Sequence, residues 1–140
     1  MDKASVDELT EADCLTLLRR FSVGRIAIAM PGTSPLVVPV NYVMDGHDIV
    51  FHTGAGQKLS HLEDQMVSFQ IDEIDYFHRR GWSVLVRGMA IVSLDLTPDV
   101  GASESWTDTP KAHVVRLTPS SFSGRLLVMP AAPGSQRGYL

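Results

Sequence analysis

PLVVPVNYVMDGHDIVFHTGAGQKLSHL, residues 35–62, decides the fold. Pro35–Met44 is rich in valine and reads as a strand, Asp45-Gly46 is a strong hairpin turn signal, and Asp48–Thr53 is the strand that returns. A proline inside such a run removes a ladder donor, which places Pro39 at a sheet edge or a bulge. An edge leaves backbone groups free to meet a ligand, though the same proline also serves to keep an edge from aggregating. After Thr53 comes a Gly-rich loop, Thr53-Gly54-Ala55-Gly56-Gln57-Lys58, and then a short helical stretch, Leu59–Asp64.

Working toward the N-terminus, Gly24–Met30 is a short strand closed by Pro31-Gly32. Before it, Leu15, Leu18 and Phe21 fall at helical spacing. Thr10 is the N-cap of this helix, Asp13 its weak capping-box partner, and Gly24 the expected stop. Toward the C-terminus, Met66–Ile74 alternates, with Val67, Phe69 and Ile71 on one face and Ser68, Gln70 and Asp72 on the other. Trp82–Leu94 is a long strand in which Gly88 suits a bulge or bend. A helical turn is expected after Thr97-Pro98, with Lys111–Thr118 and Arg125–Met129 as the last two strands. Many short strands, few helices and hairpin turns make a mainly β chain, a small antiparallel barrel or sandwich. One domain spanning 1–140 is expected, with 1–8 and 130–140 as loosely ordered tails.

Composition narrows the function classes. The 140 residues carry 12 Lys+Arg against 16 Asp+Glu, a formal net charge of −4, with 44% hydrophobic residues. That balance argues against electrostatic nucleic-acid binding, so no nucleic-acid partner is expected. Cys14 is the single cysteine, which excludes an intrachain disulfide and a thiolate metal cage. The acidic start MDKASVDELTEAD is unlike a signal peptide, and no apolar run is long enough for a bilayer. A cytoplasmic protein without a membrane partner is the expectation.

Gly54 and Gly56 let the backbone approach an anion, the following helix start offers outward amides, Thr53 adds a hydroxyl and Lys58 a charge. Together they suit one phosphate group, the alternative being an ordinary glycine turn with a solvated lysine. The loop is neither a nucleotide P-loop nor a dinucleotide fingerprint. His47, His52, His61, His78 and His113 show no ligand spacing, so no metal site is assigned. Asp72, Glu73, Asp75, His78, Arg79 and Arg80 read as a solvated loop between two strands, the alternative being an acid/base group. Trp82 suits stacking on an aromatic ligand or packing in the core. Nothing points to a protein nucleophile; an enzyme built this way would take its chemistry from a cofactor.

Three segments, VGRIAI (Val23–Ile28), PVNYVMDGHDIVFHTGAGQKLSHL (Pro39–Leu62) and GWSVLVRGMA (Gly81–Ala90), resemble the FMN-binding split-barrel proteins related to pyridoxamine 5′-phosphate oxidase. The likeness runs from Leu9 to about Val128, and the middle segment is the specific one. It implies a six-stranded antiparallel Greek-key split β-barrel with a few short helices, forming a homodimer with a flavin at the interface. By that resemblance Pro39, Val40, Asn41 and Tyr42 would lie along the flavin ring, His52 and Thr53 would reach its ribityl-phosphate, and Lys58 would hold the phosphate. Trp82 and Ser83 would close over the flavin from the other subunit. The oxidase branch carries several basic residues in the phosphate loop, where here Gln57 and Leu59 flank Lys58; its C-terminal substrate stretch has no counterpart after Met129. Arg125 is a weaker candidate contact.

The expectation is an FMN-dependent oxidoreductase that acts on a small oxidised molecule by hydride transfer, with no catalytic residue assigned. The alternatives are a deazaflavin or haem in the same fold, or a flavin-binding protein without catalysis. A deazaflavin's polyanionic tail calls for more basic residues than Lys58 and Arg25 supply.

Overall fold

The computed structural model describes residues 5–54, 60–94 and 113–130. Its elements are β1 (Ser5–Leu9), α1 (Glu11–Arg20), β2 (Val23–Ile28), β3 (Leu36–Asn41), β4 (Val43–Asp45), β5 (Asp48–Thr53), β6 (Met66–Asp75), β7 (Arg80–Leu94) and β8 (His113–Val128). Lys58, the Thr97-Pro98 turn, Leu59 and the tail beyond Pro130 lie outside the described residues.

The strands form one antiparallel sheet in the order β3-β2-β6-β7-β8-β5-β4, with β1 beside β8. β5 returns to pair with β8 next to the β6-β7-β8 meander, which is Greek-key connectivity. β3 and β5 sit near opposite ends of that order and yet touch, so the sheet curls into a split barrel. The mainly β class is the expected one.

Among the described residues the sheet holds eight strands rather than six, and three segments differ from the strands expected along the chain. Ser5–Leu9 is strand β1 paired with Gly124–Val128, where a loose N-terminal stretch through residue 8 was expected. The second predicted strand divides at Tyr42: its N–H still donates to the Ser22 carbonyl beside β2 at 2.9 Å, whereas Val43–Asp45 pair with β5. The two strands expected at the C-terminal end are one continuous strand, β8.

Helix α1 starts where the sequence places it. Thr10 Oγ1 accepts from the Asp13 N–H at 3.1 Å, and Asp13 Oδ2 accepts from the Thr10 N–H at 3.3 Å. It ends at Arg20 with Phe21 extended, so Gly24 is not its stop. Gly24 lies in β2 for a different reason: a Cβ there would come 2.2 Å from the Phe69 ring. Gly88 is likewise forced by close approach, since a Cβ would sit 2.1 Å from the Thr118 carbonyl oxygen. The β7–β8 register shifts at Arg87/Gly88, and the unpaired Ser120 donates its hydroxyl to the Arg87 carbonyl at 3.0 Å.

Inside the curl lie Ile26, Phe51, Phe69, Ile71, Val84 and Leu117, and α1 covers one opening with Cys14, Leu15 and Leu18. Burial, with the charges of Asp13 and Glu11, pushes the Cys14 thiol up, away from a reactive thiolate. Arg116 on β8 reaches across β5 to Asp48 at 3.0 Å and Asp45 at 2.8 Å, holding the β4–β5 hairpin against the barrel. Among the described residues no helix is long and apolar enough to cross a membrane.

Candidate functional site

Strand β3 bonds to β2 and ends the strand order, so the edge position read from Pro39 is the observed one. Its alternation sorts the candidate residues. Val38 and Val40 pack against the core, while Val37 and Pro39 are exposed on the outer face. Asn41, half-buried, shares that outer face and pairs with Val23. Tyr42 turns inward: its hydroxyl donates to the Leu18 carbonyl at 2.7 Å, and its ring meets Phe69 edge-on at 4.9 Å. Burial pushes its phenol far above the ordinary range. Both its N–H and its hydroxyl therefore serve the fold, and Tyr42 anchors the strand that carries Pro39 and Asn41.

Strand β5 repeats the pattern at its C-terminal end. Phe51 and Thr53 face the core, Thr53 being 3% exposed, and His52 lies on the opposite face, paired with Val114. The Thr53 hydroxyl makes a long contact of 3.4 Å to the Gly54 carbonyl. β3 and β5 touch, so the strand that carries Pro39, Val40 and Asn41 lies near the strand that carries His52 and Thr53.

The third cluster stands apart. Trp82 and Ser83 are consecutive on β7 and point to opposite sides of the sheet. Trp82 faces inward, its ring centroid 5.1 Å from that of Phe21, and lines a cavity of about 150 Å³ with Glu73, Asp75, Arg80 and Leu126. That space is well below the roughly 300 Å³ at which ligand pockets begin. Ser83 lies on the outer face, opposite Asp72 on β6 and Arg125 on β8. Two strands, β2 and β6, separate β3 from β7, so Ser83 is roughly 14 Å from the β3 edge of its own chain.

The charges on this surface are mostly paired. Arg25, opposite Pro39 in register, donates to Asp72 at 3.2 Å. Residues 76–79 form the turn between the two strands, and the acidic and basic run extends from it into the strand ends, Asp72, Glu73 and Asp75 on β6 and Arg80 on β7. Sequence reasoning passed over Ser68 and Arg87, which form no motif along the chain; only the β6–β7 register sets them side by side.

Comparisons with known proteins place this geometry. The family model described as pyridoxamine 5′-phosphate oxidase matches residues 10–126. An uncharacterized protein of Mycobacterium tuberculosis is 36% identical over 91 residues, which cover 59% of this chain and 78% of that protein. The solved FAD-binding protein from Mycobacterium smegmatis superposes with a TM-score of 0.68 at 30% identity, covering 87% of this chain and 98% of its own. The FAD-binding protein from Mesorhizobium loti gives a TM-score of 0.72 at 26% identity, covering 89% of this chain and 98% of its own.

Proposed function

The chain belongs to the pyridoxamine 5′-phosphate oxidase family, and from that premise we propose that it is a flavin-binding oxidoreductase whose flavin lies along the outer edge of β3. The observation that carries this reading is the edge itself. β3 is hydrogen-bonded on one side, presents Pro39 and Asn41 outward, and touches β5. A flat ring needs such an open strand with backbone groups in fixed positions, and the two FAD-binding neighbours support a flavin as the ring. The described residues fit the group through the outer face and the backbone: Pro39 and Asn41, with the backbone at Val40, would hold the ring edge, and His52, with the backbone of core-facing Thr53, would flank the ribityl chain. Lys58 would pair with the phosphate.

When bound, the flavin would supply two-electron hydride chemistry, and the chain's own residues would bind it, orient it and exclude water from one side. We assign FMN as the form bound. A second copy of the chain would complete the site, because each chain's own Ser83 is three strand spacings from its β3 edge. The substrate would be a small oxidised molecule.

The test is to mix the purified chain separately with FMN and FAD, desalt, and record the visible spectrum with the mass in solution. Retained FMN at about one per chain, with a dimer mass, is the expected result. Retention of FAD alone would replace FMN with the dinucleotide. A colourless protein in both mixtures would overturn the flavin reading and favour deazaflavin or haem, each testable by the same titration. Bound flavin that no nicotinamide donor reduces would leave a flavin-binding protein without catalysis.

A further inference from the structure

The outer face of the sheet holds a second concavity, away from the β3–β5 contact. A cleft of about 280 Å³ opens between the β2–β3 turn and the β6–β7 pair, lined by Ala27, Ala29, Pro35, Met66, Ser68 and Arg87. Its origin is a row of cross-strand partners. Ala27 of β2 lies opposite Ser68 of β6, which lies opposite Arg87 of β7, so two small side chains stand beside one long one. Pro35 and Met66 supply the walls. We propose that this cleft is a binding site for a small, flat, apolar anion: an aromatic carboxylate or sulfonate of one or two rings.

The size sets the upper limit, since the volume lies just under the roughly 300 Å³ at which small-molecule pockets begin and leaves no room for a nucleotide. Methyl groups, a pyrrolidine ring and a thioether suit an apolar body. The charge sets the sign. No acidic residue is among the lining residues. Of the eight described arginines, Arg25 pairs with Asp72, Arg79 with the Pro130 carbonyl, and Arg116 with Asp45 and Asp48. Arg87 is one of five without such a partner among the described residues, and the one that lines this cleft. Among the described residues the Arg87 guanidinium has neither a hydrogen bond nor an ion pair. It stands beside the Ser68 hydroxyl, a donor pair that matches a planar carboxylate or a sulfonate. The inference does not depend on flavin. The cleft lies one residue pair of the same face further along the β2–β3 ladder, at Ala27–Val37 rather than Arg25–Pro39.

The test uses naphthalene-2-carboxylate as probe, titrated into the full chain and followed through backbone amide shifts, with the neutral 2-acetylnaphthalene alongside. Saturable shifts centred on Ala27, Ser68 and Arg87, with the carboxylate preferred roughly tenfold, are the expected result. Arg87→Met, at an exposed position, should abolish that preference, and Ala27→Leu should fill the cleft and remove binding of both compounds. An absence of saturable shifts at about 10 mM probe would overturn the proposal. So would shifts centred elsewhere, or a preference that survives Arg87→Met.

Discussion

The β6–β7 pair shows two chemistries on one ladder. On its inner side Phe69 faces Val86 and Ile71 faces Val84, all nearly without exposure. On its outer side Ser68 faces Arg87, Gln70 faces Leu85, and Asp72 faces Ser83. The backbone hydrogen bonds are shared by both sides, so the difference lies wholly in side chains. The inner side specifies volume: each ring or branch fills space that nothing else can occupy. The outer side carries polar and charged groups, and there Asp72 pairs with Arg25 of the neighbouring strand β2. A slip of one residue between β6 and β7 would exchange them, carrying Phe69 and Ile71 to the outer face, and their burial fixes the register.

The largest break in this contrast comes from the inner side. Phe69 is fully buried and touches both the Gly24 backbone and the Tyr42 ring, so Phe69→Ala leaves a cavity no neighbour can close. A loss of about 3–5 kcal/mol by denaturant unfolding is expected. The outer-face Arg87→Met on the same pair of strands should change stability by less than about 0.5 kcal/mol. Equal losses at the two positions would refute the division.

Tyr42→Phe sharpens the comparison at the candidate site. It keeps the ring against Phe69 and removes only the hydroxyl, which leaves the buried Leu18 carbonyl without its donor. The expected loss is about 1–3 kcal/mol. If Tyr42 anchors β3 rather than touching a ligand, flavin affinity of the folded protein should stay within about twofold of the parent. A large loss of affinity without loss of stability would put the hydroxyl in the binding site instead.

How much of this was legible follows from the same division. Alternation along Met66–Ile74 announces which side chains face in, because period two is a local property of a strand. The capping box of Thr10 and Asp13 and the Asp45-Gly46 turn are local too, and each stands where the sequence places it. What needed the structure was non-local. Pairing with β8 makes Ser5–Leu9 a strand, although SVDEL has no alternation to announce it. Gly24 resembles a helix stop until the Phe69 ring occupies the space its side chain would need. At the site, Pro39 signals an edge by its missing N–H, whereas the separation of Trp82 from Ser83 emerges only once β7 has an inside and an outside. Ser68 and Arg87 carry no signal along the chain at all.

The smallest effect belongs where neither face applies, at the turn joining β6 to β7. There the Asp75 carboxylate accepts from the His78 N–H at 3.0 Å and meets the His78 ring nitrogen at 2.6 Å. These bonds, the backbone one foremost, hold the Asp75 carboxyl below its ordinary value. A lowered folded value means that the ionised form is favoured by folding. Its contribution is complete above the ordinary aspartate range and fades as pH falls through the lowered folded value. Asp75→Asn should therefore shift the thermal midpoint slightly at neutral pH, and the gap between variant and parent should close on acidification. Because the pair is exposed, added salt should narrow the same gap at neutral pH. A gap that ignored both acid and salt would show the turn to be held by its backbone geometry instead, with the carboxylate charge contributing nothing.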